Sequence, residues 1–384
     1  MADGVSGAIE VRAAVLHERG GPLSVEPVLL EPPRAGEVLV RVAAAGVCHS
    51  DLHLAEGHLG DGRWPAVLGH EGAGIVETVG DGVEHVAPGD AVAFSFVPPC
   101  RGCRACRAGR FHLCERASRC AFAGTLLDGT SRLSLPSGAP LKHFIFVSCF
   151  AERCVVPAAA AVPLPQGLPL WQAALVGCGA VTGVGAVRNT AGVRVGETVC
   201  VIGCGGVGLQ VIAGARLAGA ARIVAVDRGP AKLGRACEHG ATDVVDAADA
   251  DPVAAVRGLV RGGVDHAFEV VGLPETIRQA WDVLRPGGQA IVVGIVPKGM
   301  EITLPGFDLL SEKTLKGCYY GSANVAEELP ALVELIRSGR LEVAGSVSHF
   351  VELDELNDAF ERLRRGEGAR SVAIVDPDAA GEHP

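Results

Sequence analysis

Four cysteines crowd the run CRGCRACRAGRFHLC: Cys100, Cys103, Cys106 and Cys114, spaced C-x2-C-x2-C-x7-C. Thiols so close together serve disulfides, a metal or redox chemistry, and the compartment decides among them. The opening residues MADGVSGAIEVRAAVL carry no basic stretch followed by a long apolar run, so no signal peptide is expected and the chain is assigned to the cytoplasm. In a reducing compartment its thirteen cysteines do not form a disulfide framework, and a tight cluster is better suited to a metal. Four thiolates close a tetrahedral shell around zinc and leave no position for a substrate. Four free thiols in a surface loop, the alternative, would be an oxidation hazard. The cluster is read as a structural zinc site.

Three further stretches carry single soft or borderline ligands beside glycines: GVCHSDLH (46–53), LGHEGAG (68–74) and VGCGAVTG (176–183). Cys48, His70 and Cys178 together would make a three-ligand zinc site with its fourth position open, as catalysis requires. Taken singly, His70 is more often an ordinary core or surface histidine, and Cys178 a small buried hydrophobe. The three count as a site only if the fold brings them together.

A different chemistry is offered by Gly203-Cys-Gly205-Gly206-Val207-Gly208, which fits G-x-G-x-x-G. It follows an apolar run, opens a segment with helical spacing, and is followed by Asp227 at the end of a second apolar run. The expected roles are a tight turn at Gly203, close approach of a pyrophosphate at Gly205 and close helix–strand packing at Gly208. The helix N-terminus presents free N–H groups to phosphate. A carboxylate at Asp227 would accept hydrogen bonds from the adenosine ribose and repel a 2′-phosphate, which favours NAD over NADP. Arg228, next to it, blunts that preference. A glycine turn serving packing alone is the competing reading.

The elements that must hold these groups fall into two patterns. Residues 1–178 read as short valine-rich strands punctuated by Gly, Asp and Pro, as in EVLVRVAAAGV and GAGIVETVGDGVEHVAPGDAVAF, a barrel-like β domain. Residues 179–322 alternate strands with helices and predict a parallel sheet covered on both faces, so the fold class is α/β. Residues 323–384 add a helix, a strand and the tail DPDAAGEHP, expected to fray. A net charge of -10 argues against nucleic acid or an anionic membrane as partner. No uninterrupted apolar run has the length of a membrane span; QAALVGCGAVTGVGAV comes nearest, broken by Gly and Thr.

Taken together, GHE, the four-cysteine loop, GCGGVG and the Asp after the second strand resemble the zinc-dependent medium-chain alcohol dehydrogenases, in the family's order over nearly the whole chain. The segment DGTSR (128–132) is similar to the animal and plant-type branch. The resemblance implies a GroES-like catalytic domain, 1–178 with 323–384 returning to it, beside a Rossmann NAD-binding domain, 179–322, with the active site in the cleft between them. It implies two zinc ions per chain. Cys48, His70 and Cys178 would hold the catalytic one, with Glu71 able to join, and the four clustered cysteines the structural one. Asp51 matches a partner that orients the ligand histidine.

The same resemblance implies reversible hydride transfer between an alcohol and NAD, the metal favouring the ionised alcohol. Ser50 and His53 match the relay that carries the proton to solvent by way of the nicotinamide ribose. His49, Lys232 and Arg370 fall on cofactor-contacting positions, as do Arg228 and Ile295. Leu59, Phe96, Ile145, Ile295 and Tyr319 are expected to line an apolar pocket for a hydrophobic primary or secondary alcohol. A related branch oxidises the formaldehyde adduct of a thiol and grips it with an Arg just after the cysteine loop; Ser118 stands there in this chain, with Arg116 and Arg119 adjacent. That branch and a non-catalytic NAD-binding redox sensor are the alternatives. Relatives of this kind are homodimers or homotetramers.

Overall fold

The structure, a computed structural model, describes residues 7–60 and 64–383. The chain forms two compact units. One runs to Cys178 and takes up Asn324–Arg337 and the stretch from His349; the other comprises Gly179–Ala323 and Ser338–Ser348. The sequence reading placed 338–348 with the first unit. In the fold this stretch is tied to the helix Gly206–Leu217, because Gln210 Nε2 donates to the Glu342 carbonyl (3.0 Å) and Arg216 Nη2 to that of Arg340 (3.3 Å).

The first unit is built on two sheets. A seven-stranded sheet is centred on Glu37–Val47, which pairs antiparallel with Glu71–Val79 on one side and with Arg370–Ile374 and Arg153–Pro157 on the other. A five-stranded sheet contains Ile9–Leu16 and Leu23–Leu30. Glu37–Val47 has little exposed surface on either face, which explains a strand rich in Val and Ala, with Arg41 its one charge after Glu37, in place of an alternating pattern. Its register sets Gly46 opposite Glu71. A Cβ at Gly46 would lie 2.4 Å from Glu71 Oε1, so only glycine lets that carboxylate lie across the neighbouring strand.

The DGTSR segment has a structural task in this unit. Arg132 is wholly buried and donates from Nε and Nη2 to the two carboxylate oxygens of Glu37 (2.9 and 2.6 Å), from Nη2 also to Asp128 (2.7 Å) and from Nη1 to Thr130 Oγ1 (2.5 Å). The network anchors the loop that follows the cysteine cluster to the start of the central strand.

In the second unit six strands form one parallel sheet. Their order is Asp243–Asp246, Arg222–Asp227, Thr198–Ile202, Val264–Glu269, Leu284–Val292 and Thr314–Gly317. The order reverses between Thr198–Ile202 and Val264–Glu269, the place where open α/β sheets receive a ligand. Cys200, Ile202, Val224, Val226 and Trp281 belong to the core beneath it.

The C-terminal tail is anchored as far as His383. Asp376 caps a short helix, Pro377–Ala380, by accepting from the amides of Asp378 and Ala379. Trp171 Nε1 donates to the Glu382 carbonyl (2.9 Å), and His383 stacks on Phe350 at 4.9 Å. The tail's polar composition hid these anchors. Among the described residues no single helix is long and apolar enough to cross a membrane; the apolar run noted in the sequence falls on two successive helices, Leu170–Gly177 and Gly179–Ala191.

Candidate metal centres and cofactor site

The first cluster is local. Ligand atoms of Cys100, Cys103, Cys106 and Cys114 lie within 4.8 Å of one another. Short backbone turns aim amides at the sulfurs: Cys103 Sγ accepts from the Cys106 amide (3.5 Å), and Cys114 Sγ from those of Cys100 (3.3 Å) and Ala117 (3.4 Å). Donation from the backbone of Cys106 and Glu115 brings the Cys103 thiol down to about 6, while burial pushes that of Cys106 up to about 12. Four sulfurs at this separation, with amides directed at them, fit a thiolate-bound zinc ion. All thirteen cysteines are free thiols.

The second cluster joins residues distant in sequence. Cys48 follows the central strand and caps the helix His49–Ala55; His70 and Glu71 sit at the start of the paired strand; Cys178 follows the turn Leu175–Gly177. Their ligand atoms all lie within 4.8 Å of one another, and every one of these residues is buried. His70 Nε2 is 3.3 Å from Cys178 Sγ, and His70 Nδ1 is 3.0 Å from Asp51 Oδ2. Asp51 is itself held by the Gly69 amide at Oδ1 (2.8 Å), so its carboxylate fixes the ring with Nε2 turned toward the sulfurs.

The electrostatics favour a cation at this point. A hydrogen bond from Cys178 holds the Cys48 thiol well below its ordinary value, with Arg370 and His70 acting in the same sense. Burial opposes charge on His70, but Asp51 and Cys48 outweigh it and hold the imidazole well above its usual range. Burial raises the Glu71 carboxyl to about 7 against the pull of Arg370, whose Nη1 lies 3.2 Å from Glu71 Oε2. Two sulfurs, one imidazole and a carboxylate, all desolvated, are a borderline-soft donor set suited to zinc.

Around this cage, the rings of Phe96 and Phe144 each meet His70 edge-on, with centroids 5.4 Å away. Phe144 was not singled out from sequence; only its proximity in the fold reveals it. Ser50 Oγ lies 3.7 Å from Cys48 Sγ. His53 is half-buried on the same helix, and His49 is exposed. Arg370, expected at the cofactor, is buried beside Glu71 and also donates to the Val47 carbonyl (3.4 Å). Leu59 and Ile145 belong to this unit, Ile145 with φ of 38°; Ile295 and Tyr319 belong to the other.

The glycine motif lies at the strand-order reversal in the second unit. Gly203 has φ of 99°, the left-handed turn that ends the strand Thr198–Ile202. A Cβ on Gly208 would sit 1.9 Å from the Gly203 carbonyl, so helix and turn touch only through glycine. A Cβ on Gly205, by contrast, would meet nothing within 4 Å. The space above Gly205 and the amide-bearing start of the helix Gly206–Leu217, in which Val207 occupies the first turn, are suited to a pyrophosphate. Asp227 Oδ2 accepts from the Cys204 amide (2.8 Å), and Oδ1 from Arg228 (2.8 Å) and Gly229 (3.0 Å). These bonds hold the carboxylate beside the turn, and the stem of Lys232 lies next to Gly229.

Residues 34–166 match the alcohol dehydrogenase GroES-like domain, and residues 206–338 the zinc-binding dehydrogenase family. The chain is 40% identical over 364 residues to an S-(hydroxymethyl)glutathione dehydrogenase of Photobacterium damsela subsp. piscicida, covering 94% of this chain and 98% of that one. It is 38% identical over 375 residues to a class-3 alcohol dehydrogenase of Cereibacter sphaeroides, covering 95% and 100%. Among solved structures it is similar to an alcohol dehydrogenase zinc-binding domain protein from Burkholderia ambifaria (TM-score 0.91, 36% identity, 96% of this chain and 100% of that one). It is also similar to the benzyl alcohol dehydrogenase of Acinetobacter calcoaceticus (TM-score 0.90, 32% identity, the same coverage). With both family models matched in order and relatives of this identity aligned along nearly its whole length, the chain belongs to the zinc-dependent medium-chain alcohol dehydrogenase family.

Proposed function

We propose that this enzyme interconverts a hydrophobic primary or secondary alcohol and its aldehyde or ketone, with Cys48, His70 and Cys178 as catalytic zinc ligands and Glu71 in reserve. The observation that carries this reading is the convergence of those four side chains from three separate stretches within 4.8 Å, buried and beside two phenylalanine rings. When bound, zinc supplies a Lewis acid for the substrate oxygen and NAD supplies the hydride acceptor.

The chain's own residues prepare the rest. Asp51 fixes the His70 ring, so Nε2 stays turned toward the sulfurs through turnover. Phe96 and Phe144 exclude water beside His70, and Leu59, Ile145, Ile295 and Tyr319 are assigned with Phe96 to the substrate. Ser50 Oγ takes the proton of the alcohol, since a hydroxyl accepts and donates at once, and His53 receives it on the way to solvent. Gly203, Gly205, Gly206, Val207 and Gly208 hold the pyrophosphate, Asp227 the adenosine ribose, and His49, Arg228, Lys232 and Ile295 further parts of NAD. The four-cysteine cluster holds the second zinc. The close approach of Arg370 to Glu71 gives that guanidinium a charge-balancing task beside the first zinc as well as its cofactor assignment.

The names of the curated relatives favour a second reading, oxidation of S-(hydroxymethyl)glutathione. Against it, Ser118 is exposed and neutral, and the Arg116 guanidinium is committed to the Leu127 carbonyl (3.2 and 2.9 Å), which leaves Arg119. A panel of alcohols followed by NADH absorbance, with and without glutathione and formaldehyde, decides. Activity confined to the thiol adduct would overturn the alcohol reading.

An exposed apolar group, Met300, Phe307, Leu309 and Leu310, precedes the edge strand Thr314–Gly317 of the parallel sheet. On that basis we assign a homodimer through this edge, or a homotetramer of such dimers; sedimentation equilibrium measures it. The cytoplasm is the proposed compartment, tested by cell fractionation.

A further inference from the structure

A second histidine is built against the relay residue. The helix His49–Ala55 ends at Glu56 and Gly57, and Gly57 takes the left-handed conformation (φ 77°). The amide of His58 donates to the His53 carbonyl (2.9 Å) and that of Gly57 to the Leu54 carbonyl (3.0 Å). This pair of bonds is the helix-ending turn in which the residue after the left-handed glycine folds back over the one five before it. Here it sets His58 on His53. The two Nδ1 atoms lie 3.0 Å apart, with ring centroids at 5.3 Å.

Two imidazole nitrogens at hydrogen-bond distance share one proton: one donates and the other accepts. With Nδ1 of His53 committed to His58, Nε2 is left to receive a proton. The His58 side chain is 37% exposed, which places the outer ring of the pair at the solvent boundary. The charged groups around the pair complete the picture. His49 stands on the same helix, its ring 6.4 Å from that of His53, and Cys48 precedes the helix. Glu56 Oε2 is 3.6 Å from His58 Nδ1, and Glu56 is itself held by Arg364 Nε at Oε1 (2.9 Å) and by Arg19 Nε at its carbonyl (2.9 Å). A carboxylate fixed beside His58 favours transient positive charge on the outer ring over the inner one.

We propose that His58 is the outlet of the proton relay, taking from His53 the proton released by alcohol oxidation and passing it to solvent. This rests on the reading of His53 as a relay residue. A proton arriving at His53 Nε2 makes that ring cationic. The Nδ1–H bond of His53 breaks as the Nδ1–H bond of His58 forms, and His58 gives its Nε2 proton to water. One proton enters and one leaves, both rings end neutral with their tautomers exchanged, and nothing is oxidised or reduced. His58 acts through His53, so it is a positioning and transfer residue rather than a catalytic one.

The test uses the zinc-loaded enzyme with NAD and alcohol and follows single-turnover NADH formation across pH in His53→Asn, His58→Asn and His58→Gln. At neutral pH both His58 variants are expected to lose roughly tenfold in rate, less than the loss of a direct acid–base group. Their pH inflection should shift, because the group that shares the His53 proton is gone. Raising the concentration of a buffer that does not bind zinc, at constant ionic strength, should restore their rate and leave that of the parent enzyme unchanged. A purely structural role for His58 moves neither the inflection nor the buffer dependence. If both His58 variants match the parent while His53→Asn alters the profile, the outlet assignment fails and the relay stands. If His53→Asn also matches the parent, both readings fall together.

Discussion

Arg370 and Glu71 face each other across the end of the central strand, Nη1 to Oε2 at 3.2 Å, both buried, Glu71 within the second ligand cluster and Arg370 beside it. Their strands flank Glu37–Val47 on opposite sides, so the pair spans that strand at Gly46 and Val47. The guanidinium offsets negative charge that two thiolates and a carboxylate would otherwise concentrate in a desolvated cage.

Arg370→Leu should therefore act differently on the zinc-free and zinc-loaded protein. Without metal, the variant takes the guanidinium away from buried Glu71 and leaves the His70 imidazole and proton uptake to offset its charge, a loss of about 1–3 kcal/mol. With metal, the dication supplies the missing charge and the loss is smaller. Thermal unfolding of parent and variant, each with and without a chelator, measures the difference. An equal drop in both states would show that the pair does not compensate the cage.

The second and third glycines of the motif should separate cleanly. Gly205→Ala adds a methyl group to open space, so folding is unaffected and NAD affinity falls by roughly tenfold, a cost of about 1.4 kcal/mol. Gly208→Ala drives a methyl group into the Gly203 carbonyl, so stability falls by about 1–3 kcal/mol. Melting temperature and fluorescence titration with NADH report the two effects. A Gly205→Ala protein that binds NADH like the parent would remove the pyrophosphate from its assigned place.

The chemistry that was legible in the sequence is the chemistry that is local. The four-cysteine loop and the glycine motif each close within a short span, and spacing alone prescribes their geometry. The cage of Cys48, His70 and Cys178 is different in kind. Its members come from the end of one strand, the start of another and a later turn, so their meeting depends on sheet register, which no single stretch encodes. The parallel sheet was legible from alternating apolar runs, whereas the place of Ser338–Ser348 in the second unit shows only in tertiary contacts such as those made by Gln210, Arg216 and Arg235. Arg370 shows the same limit: its position matched a cofactor contact, and only the fold shows Glu71 beside it. The pairing of His58 with His53 has a faint signal, Gly57 just past the helix end, whose meaning appears with the turn it permits.

The four-cysteine lobe should be dispensable for the first metal. Cys103→Ser removes the most readily ionised thiol of the cluster and should lower the zinc content from two ions per chain to one. Cys48→Ser should also leave one ion, but with NADH formation abolished. Metal analysis beside the alcohol assay separates the two. Loss of both ions in Cys103→Ser would mean that the sites are not independent.

His143 gives the fold a pH dependence outside either metal cluster. Burial holds its imidazole down to about 3, and the nearby Arg132 cation acts in the same sense. Its Nε2 must stay unprotonated to accept the Arg132 amide (3.2 Å). In the unfolded chain the group titrates near 6.5, so below that pH the unfolded state takes up a proton that the folded state refuses. The stability tied to neutral His143 is fully present above about 6.5, is lost progressively on acidification and stops changing below about 3. The slope is about 1.4 kcal/mol per pH unit inside that window. His143→Gln keeps an acceptor for the Arg132 amide and does not titrate. The loss of unfolding free energy between pH 7.5 and pH 5 should therefore be about 2 kcal/mol smaller in the variant, measured by urea denaturation at both values. Identical losses in parent and variant would show that His143 is protonated in the folded protein and that its environment is more polar than its burial indicates.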